Sequence, residues 1–336
     1  MKRTRLTIFL LIIASIVSAV ITLCMGAVQI PVQDTLSVLL QHLFGTDTGT
    51  PVSIAFEQIV WQIRMPRIIL GFLAGSGLAL CGCVMQAVVQ NPMADPYILG
   101  VSAGATLGAT GSLFLGLGVI SGFWAFVGAG SACFLVLTLS SADGKTTSVK
   151  LILSGMIVNA LLTAFSNFII AVAGDSDGMM SIKFWTMGSL RGSTYQNAAV
   201  LALALLFCGT VILLHAQILN AFAVGEDNAR QIGVDVKRAK LMLLIMVSVL
   251  IGVCVSVGGT IGFVGLVTPH MARMLVGPNH KRLLPASMFG GAVFLMLADL
   301  IARILLNPLE LPIGVVTSFV GAIVFVVIFY QSRKEH

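Results

Sequence analysis

From Arg64 to Gly104 the chain reads RMPRIILGFLAGSGLALCGCVMQAVVQNPMADPYILGVSAG, and this stretch limits the fold more than any other. Two arginines bracket a proline at its start. After Arg67 comes a run of roughly 20 uncharged residues, enough to cross a bilayer as one helix. Asn91-Pro92 and Asp95-Pro96 close it, because proline lacks the amide a helix needs and biases the preceding residue away from helical geometry. Gly71, Ala74, Gly75, Ser76, Gly77, Ala79 and Gly82 make the run dense in small residues. In lipid such residues let helix backbones approach closely. The expectation is a packed transmembrane helix with a cationic outer mouth and a broken inner end, with other spans arranged around it.

The rest of the chain has the composition this requires. It is 57% hydrophobic and only 10% charged over 336 residues, with a mean hydropathy of +1.03. Soluble domains carry about 25% charged residues, so this is a polytopic membrane protein. The net charge of +6 points to inner loops attracted to anionic lipid, not to nucleic acid. All six cysteines fall inside apolar runs and read as small buried residues. Cys81 and Cys83 stand at i and i+2, on different faces of a helix, which argues against a shared metal. No metal and no cofactor is expected.

Apolar runs fall at residues 6–28, 65–90, 97–117, 120–140, 149–172, 194–214, 239–257, 261–276, 284–303 and 312–330, giving ten expected spans. The shortest, 261–276, holds Pro269 and reads as a partial or broken span. With both termini inside, fourteen of the 19 Lys and Arg residues lie on the inner side; Arg64, Arg67, Lys183, Arg191 and Arg303 lie outside. That is the bias of cytoplasmic loops. The basic amino terminus reads as the start of a retained first span, since no signal-peptidase pattern follows. Outer segments at about 29–62 and 173–193 are long, the first with room for a surface helix. No stretch is long enough for a soluble domain, so residues 1–336 read as one membrane domain. Gly82, Pro92 and Gly100 repeat the spacing of Gly259, Pro269 and Gly277, suggesting an inverted repeat of spans two to five against seven to ten.

No catalytic residues emerge. Gly144-Lys145-Thr146 resembles the end of a phosphate-binding loop, but that loop needs a glycine at 139, which is Leu139. No His, Asp or Glu cluster has metal-ligand spacing. Asp299 is the main intramembrane acid, and Arg303 follows at i+4 as a local helix partner. A chain without its own means of using ATP or protons takes its energy from a partner. The inner segment at about 215–238 is suited to that. Leu219, Phe222 and Ala223 form a short apolar face. Gly225 permits a turn, Glu226 and Asp227 open a helix that holds Ala229 and Arg230, and Gly233 stops it. Two short helices joined by glycine make a rigid knob at the membrane surface.

Several runs resemble one family. They are Arg64-Met65-Pro66-Arg67, Gly82 to Gln86, Asn91 to Pro96, Gly100 to Gly104, Trp185 to Leu190, Gly225 to Val234, Gly259 to Arg273, Leu297 to Arg303 and Glu310 to Thr317. Together they are similar to the permease subunits of FecCD-type ABC importers for iron–siderophore complexes, haem and cobalamin. Thr268 departs from the aliphatic residue usual there. The resemblance implies an all-α fold of about ten transmembrane helices, the type II importer permease architecture, in the bacterial cytoplasmic membrane. It implies a homodimer, two ABC ATPase subunits beneath it, and an extracytoplasmic substrate-binding protein. By resemblance, Gly225, Glu226, Asp227, Ala229, Arg230 and Gly233 dock the ATPase, and Arg64, Arg67 and Arg303 dock the binding protein. The fifth and tenth spans line the pathway, with an inner gate near Thr147 and Ser148. The expected cargo is a ferric siderophore, with haem and cobalamin as competitors. An ion-gradient-driven secondary carrier is the alternative of another class; the knob and the lack of an intramembrane acid relay argue against it.

Overall fold

The computed structural model describes residues 2–45, 52–117, 121–142, 147–173 and 176–332. Gly144-Lys145-Thr146 and the inner charges Arg333 and Lys334 lie outside them. In chain order the helices are α1 (Lys2–Cys24), α2 (Val32–Phe44), α3 (Ile54–Gln58), α4 (Met65–Val89), α5 (Val101–Phe114), α6 (Ser121–Ser140), α7 (Ser148–Ala173), α8 (Ser176–Thr186), α9 (Tyr195–Leu214), α10 (Ala216–Val224), α11 (Glu226–Gln231), α12 (Val236–Gly258), α13 (Val264–Val276), α14 (His280–Ile304) and α15 (Ile313–Ser332). A π-helical turn, Ile59–Arg64, fuses α3 to α4, and a 3-10 turn, Pro96–Leu99, precedes α5. Among the described residues the sole β feature is a lone bridge between Leu306 and Leu309.

Each of the ten apolar runs contains one helix: α1, α4 to α7, α9 and α12 to α15. Among the described residues, seven helical segments are long and apolar enough to cross a membrane: Thr4–Cys24, Ile54–Val89, Gly122–Ser140, Ser148–Val172, Tyr195–Leu214, Val236–Gly258 and His280–Ile304. Helices α5 and α13, with 14 and 13 residues, are shorter. At 1.5 Å per residue they rise only about 20 Å, less than the roughly 30 Å hydrocarbon core. The two long segments expected outside hold α2 in the first and α8 in the second.

Helix α4 is the axis of the bundle. Its most apolar window is 83% buried, against 22% for α1 and α7. It packs along α14, α13, α12 and α9. The small residues make this possible by close approach. A Cβ on Gly75 would sit 2.3 Å from the carbonyl oxygen of Gly291 on α14, and one on Gly82 would sit 1.8 Å from that of Gly265 on α13. The peripheral helices turn large apolar side chains outward, such as Phe9 and Ile16 on α1, Phe165 and Phe168 on α7, and Leu206 and Phe207 on α9. Such apolar surfaces suit contact with acyl chains or with other helices.

The Asx-Pro pairs end α4 as their chemistry requires. Gln90 takes a left-handed conformation, Asn91 Oδ1 accepts from the Met93 amide at 2.8 Å, and Asp95 Oδ1 accepts from the Tyr97 amide at 2.7 Å. The spacing echo, by contrast, falls on unlike local structure. Gly82 is inside a helix while Gly259 turns the chain at φ +67°, and Pro92 sits in a turn while Pro269 lies inside α13. Two of the three shared positions therefore match in spacing and not in conformation, while Gly100 and Gly277 both have positive φ, +71° and +83°.

Between α12 and α13 the backbone leaves helical geometry inside the bundle, and every freed group there needs a partner. Ser189 donates its amide to Gly258 O at 2.9 Å, Ile313 to Gly188 O at 3.0 Å, and Gly314 to Met187 O at 3.0 Å. Tyr97 completes the set. Its hydroxyl accepts from the Ile261 amide at 3.1 Å and donates to the Ile261 carbonyl at 3.3 Å. Phe263 follows at φ +67°, an unusual conformation for a bulky residue, packed where Gly321 of α15 leaves room.

Candidate functional site

Helix α14 measures the molecule. Its 25 residues rise about 37 Å. At its first residue, His280 donates its amide to Asn220 Oδ1 of α10 at 2.8 Å, which fixes the two-helix knob at that end. At its far end stands Arg303, beside Arg64 and Arg67. The knob and the arginines therefore lie at opposite ends of the bundle.

The knob forms as its sequence dictates. Leu219 and Phe222 are fully buried, and α10 rests on α4 and α14; Ala223 is exposed instead of completing the apolar face. Gly225 turns the chain at φ +141°, and Gly233 ends the segment at φ +88°. Ala229 is buried beneath α11. Arg230 pairs with Asp227 at 3.1 Å, and its side chain is 60% exposed. Glu226 pairs with Lys240 of α12 at 2.8 Å and more loosely with Arg230 at 3.8 Å, and the Lys240 side chain is almost fully buried. Asp227 and Arg230 are thus the charges presented outward. Thr147 and Ser148 join Gly225, Glu226 and Asp227 around a depression of about 530 Å3. The two gate candidates and the knob share one end of the molecule.

The three arginines are brought together but are not free. Arg64 donates to the carbonyls of Leu23 and Val28, and Arg303 to those of Thr22 at 3.2 Å and Met25 at 3.4 Å. These carbonyls belong to the last turn of α1 and the link beyond it, where helical partners run out. Arg67 binds Asp299 at 2.9 Å and Glu310 at 3.0 Å. Arg303 Nε lies 3.0 Å from the other Asp299 oxygen, close enough for an ion pair but not aligned as a hydrogen bond. Arg64, Arg67 and Arg303 are 4%, 7% and 6% exposed. An exposed arginine surface was expected, and the burial differs from it because Asp299, Glu310 and the end of α1 enclose all three. Glu310, its side chain 31% exposed, is the one member of the network that reaches solvent appreciably.

A third feature lies between the ends: a cavity of about 820 Å3. It takes Asn159 from α7, Ser102 from α5, Ser318 and Phe319 from α15, and Thr186 and Thr260 from the irregular backbone around Gly188 and Gly259. Its walls carry hydroxyls, one amide and apolar groups, and no Lys, Arg, Asp or Glu among the described residues. Asn159 is an exposed polar residue in the middle of an apolar helix, a signal visible in the sequence beforehand. The part played by Tyr97 had no such signal, since its partner lies 164 positions away.

The profile of the FecCD transport family matches residues 10–331. A Bacillus subtilis protein, named as an uncharacterized ABC transporter permease, YvrB, is 41% identical over 328 residues, covering 95% of this chain and 91% of its own. The Halobacterium salinarum cobalamin import permease BtuC is 41% identical over 269 residues, covering 79% and 72%. The Haemophilus influenzae molybdate import permease MolB is 32% identical over 329 residues, covering 97% and 96%. A solved structure of an ABC transporter in an inward-facing conformation, described as of the metal-chelate type, superposes with a TM-score of 0.84 at 30% identity, covering 96% of this chain and 98% of its own.

Proposed function

The chain belongs to the FecCD transport family, permease subunits of ABC importers whose ATP is hydrolysed on a separate ATPase, and on that premise we propose that it carries a bulky metal complex across the bacterial cytoplasmic membrane. The observation that carries the cargo reading is the uncharged cavity between α5, α7 and α15. A chelate of low net charge presents its ligands' hydroxyl and apolar groups, which hydroxyls and apolar walls can hold without counter-ions. A small oxoanion such as molybdate would find no fixed positive charge there. A ferric siderophore is the cargo proposed. Cobalamin is the second reading, favoured by the 41% identity to a permease named for it.

The proposed assembly has ten spans, both termini inside, and two copies of the chain related by a two-fold axis. Two ATPase subunits meet the knobs and a binding protein meets the arginine end. An inverted repeat is supported by helix lengths. In α4 to α7 they are 25, 14, 20 and 26 residues, and in α12 to α15 they are 23, 13, 25 and 20. The packing crosses over accordingly: α4 lies on α14, and α12 on α6. For docking, Arg67 with Glu310 is the pair nearest solvent, so an incoming carboxylate competes first with Glu310.

The experiment is uptake into proteoliposomes holding the permease, its ATPase and its binding protein, with ferric siderophores and cobalamin as cargo. ATP-dependent uptake of one of these, absent without the ATPase, is expected. Uptake by the permease alone along an ion gradient would overturn the importer reading in favour of a secondary carrier. ATP-driven uptake of molybdate alone would overturn the cargo reading only.

A further inference from the structure

A furrow of about 910 Å3 runs down the outside of the bundle between α6 and α12. Along most of its length the walls are apolar, with Phe126, Phe134 and Leu137 on one side and Leu241 and Ile245 on the other. Phe134 is 67% exposed and Leu241 48%. Gly130 forms part of the floor on the α6 side, where an added Cβ would meet nothing within 4 Å.

At the end where α12 begins, the chemistry changes. Arg230, Lys237 and Lys240 line the furrow beside Glu226 and Asp227. These charges do not cancel. Glu226 faces Lys240 at 2.8 Å and Arg230 at 3.8 Å, and Asp227 faces Arg230 at 3.1 Å. Lys237 is exposed and makes no ion pair with any described residue. The hydroxyl-bearing residues Thr138 and Ser141 stand on the opposite wall near the same end. The result is an apolar slot, open along a membrane-spanning stretch, that finishes in a cation without an ion pair among the described residues; the nearby Thr138 and Ser141 hydroxyls donate to carbonyls of α6. An acyl chain fits the slot, and the phosphate of an anionic headgroup fits its end.

We propose that this furrow is a site for one anionic phospholipid, with its headgroup at Lys237 and an acyl chain over Gly130. The lipid lies against the first turn of α12, to which Glu226 ties the knob, and so braces the knob from the membrane side. The inference rests on the proposed topology only in assigning the lipid to the inner leaflet; its binding is measured on the chain without ATPase, binding protein or cargo.

The test titrates the purified full-length chain in detergent with dioleoyl-phosphatidylglycerol or dioleoyl-phosphatidylcholine and reads retained lipid by native mass spectrometry. One phosphatidylglycerol per chain is expected, held about fivefold more tightly than phosphatidylcholine, the effect of one lysine near a phosphate. Lys237→Glu should remove that preference and leave phosphatidylcholine unchanged. Gly130→Leu, which fills open space, should weaken both lipids. Equal retention of the two lipids, or phosphatidylglycerol retention unaffected by either variant, overturns the site. Glycerol phosphate competing as well as the intact lipid would make it a phosphate site without a chain slot, and would overturn it too. If Gly130→Leu instead breaks a dimer while lipid retention holds, the furrow belongs to a second copy and the proposal fails.

Discussion

Arg67 on α4 and Asp299 on α14 form a buried ion pair, 2.9 Å apart in space and 232 positions apart in sequence. Asp299 also faces Arg303, so two guanidinium groups share one carboxylate, which ties the central helix to its main neighbour.

Removing that carboxylate takes the ion-pair partner from buried Arg303 and leaves Arg67 with Glu310 alone. Asp299→Ala is expected to destabilise the permease by about 3–5 kcal/mol. Glu310→Gln, at the solvent-reaching side of the same network, should cost about 0–1 kcal/mol. Thermal unfolding in detergent would separate them; equal shifts would mean the network is not organised by Asp299. Reversing all three arginines together should unfold this end, so loss of docking in that variant would be uninformative.

Two adjacent glycines on α14 give a sharper packing test. Gly291→Ala places a methyl 2.3 Å from Gly75 O, whereas one at Gly290 meets nothing within 4 Å. The first should destabilise by about 1–3 kcal/mol through overpacking. The second should be neutral or stabilise by up to about 1 kcal/mol. Similar melting temperatures for both would contradict the close approach of α4 and α14.

Tyr97→Phe deletes one oxygen and both hydrogen bonds to Ile261, a residue only 2% exposed. Two buried backbone groups are left unpaired, at about 1–3 kcal/mol. Faster hydrogen exchange at the α12–α13 link, read by mass spectrometry, is the expected signature. Unchanged exchange there would show that the hydroxyl does not hold this backbone.

At the knob, Arg230→Glu should lower ATP-coupled uptake about tenfold, as a lost 1.4 kcal/mol of docking energy does, with an unchanged melting temperature. Glu226→Lys should lower both, because it sets a like charge against Lys240, whose side chain is 5% exposed. Full uptake by the Arg230 variant would remove that residue from ATPase coupling.

Cysteines introduced at Thr147 or Ser148 should cross-link between two permease copies in one nucleotide state. No cross-link in any state would count against the gate placed there.

How much was legible follows from the range of the interactions. The α4 run, its breaks at Asn91 and Asp95, the turn at Gly225 and the i+4 pair of Asp299 with Arg303 all depend on neighbours a few residues away. The sequence displays such neighbours directly. The family resemblance was carried by the same local runs, and it held over residues 10–331.

What the sequence by itself determined is an all-helical membrane chain with a small-residue axis and no charge along its central helix beyond Arg67. Lipid leaves backbone groups no partner but each other, so apolar length alone dictates helix. Only the tertiary structure decided what each polar residue in the bundle touches. Arg64 and Arg303 read as outer surface charges, yet they cap α1, because the last carbonyls of that helix need donors and Gly26 leaves room for the Arg64 guanidinium. Tyr97 reads as an ordinary aromatic, yet it closes the break after α12. Such choices depend on which unsatisfied groups meet after packing, and those groups lie more than a hundred residues apart in the chain, or, for Arg64 and the end of α1, 41.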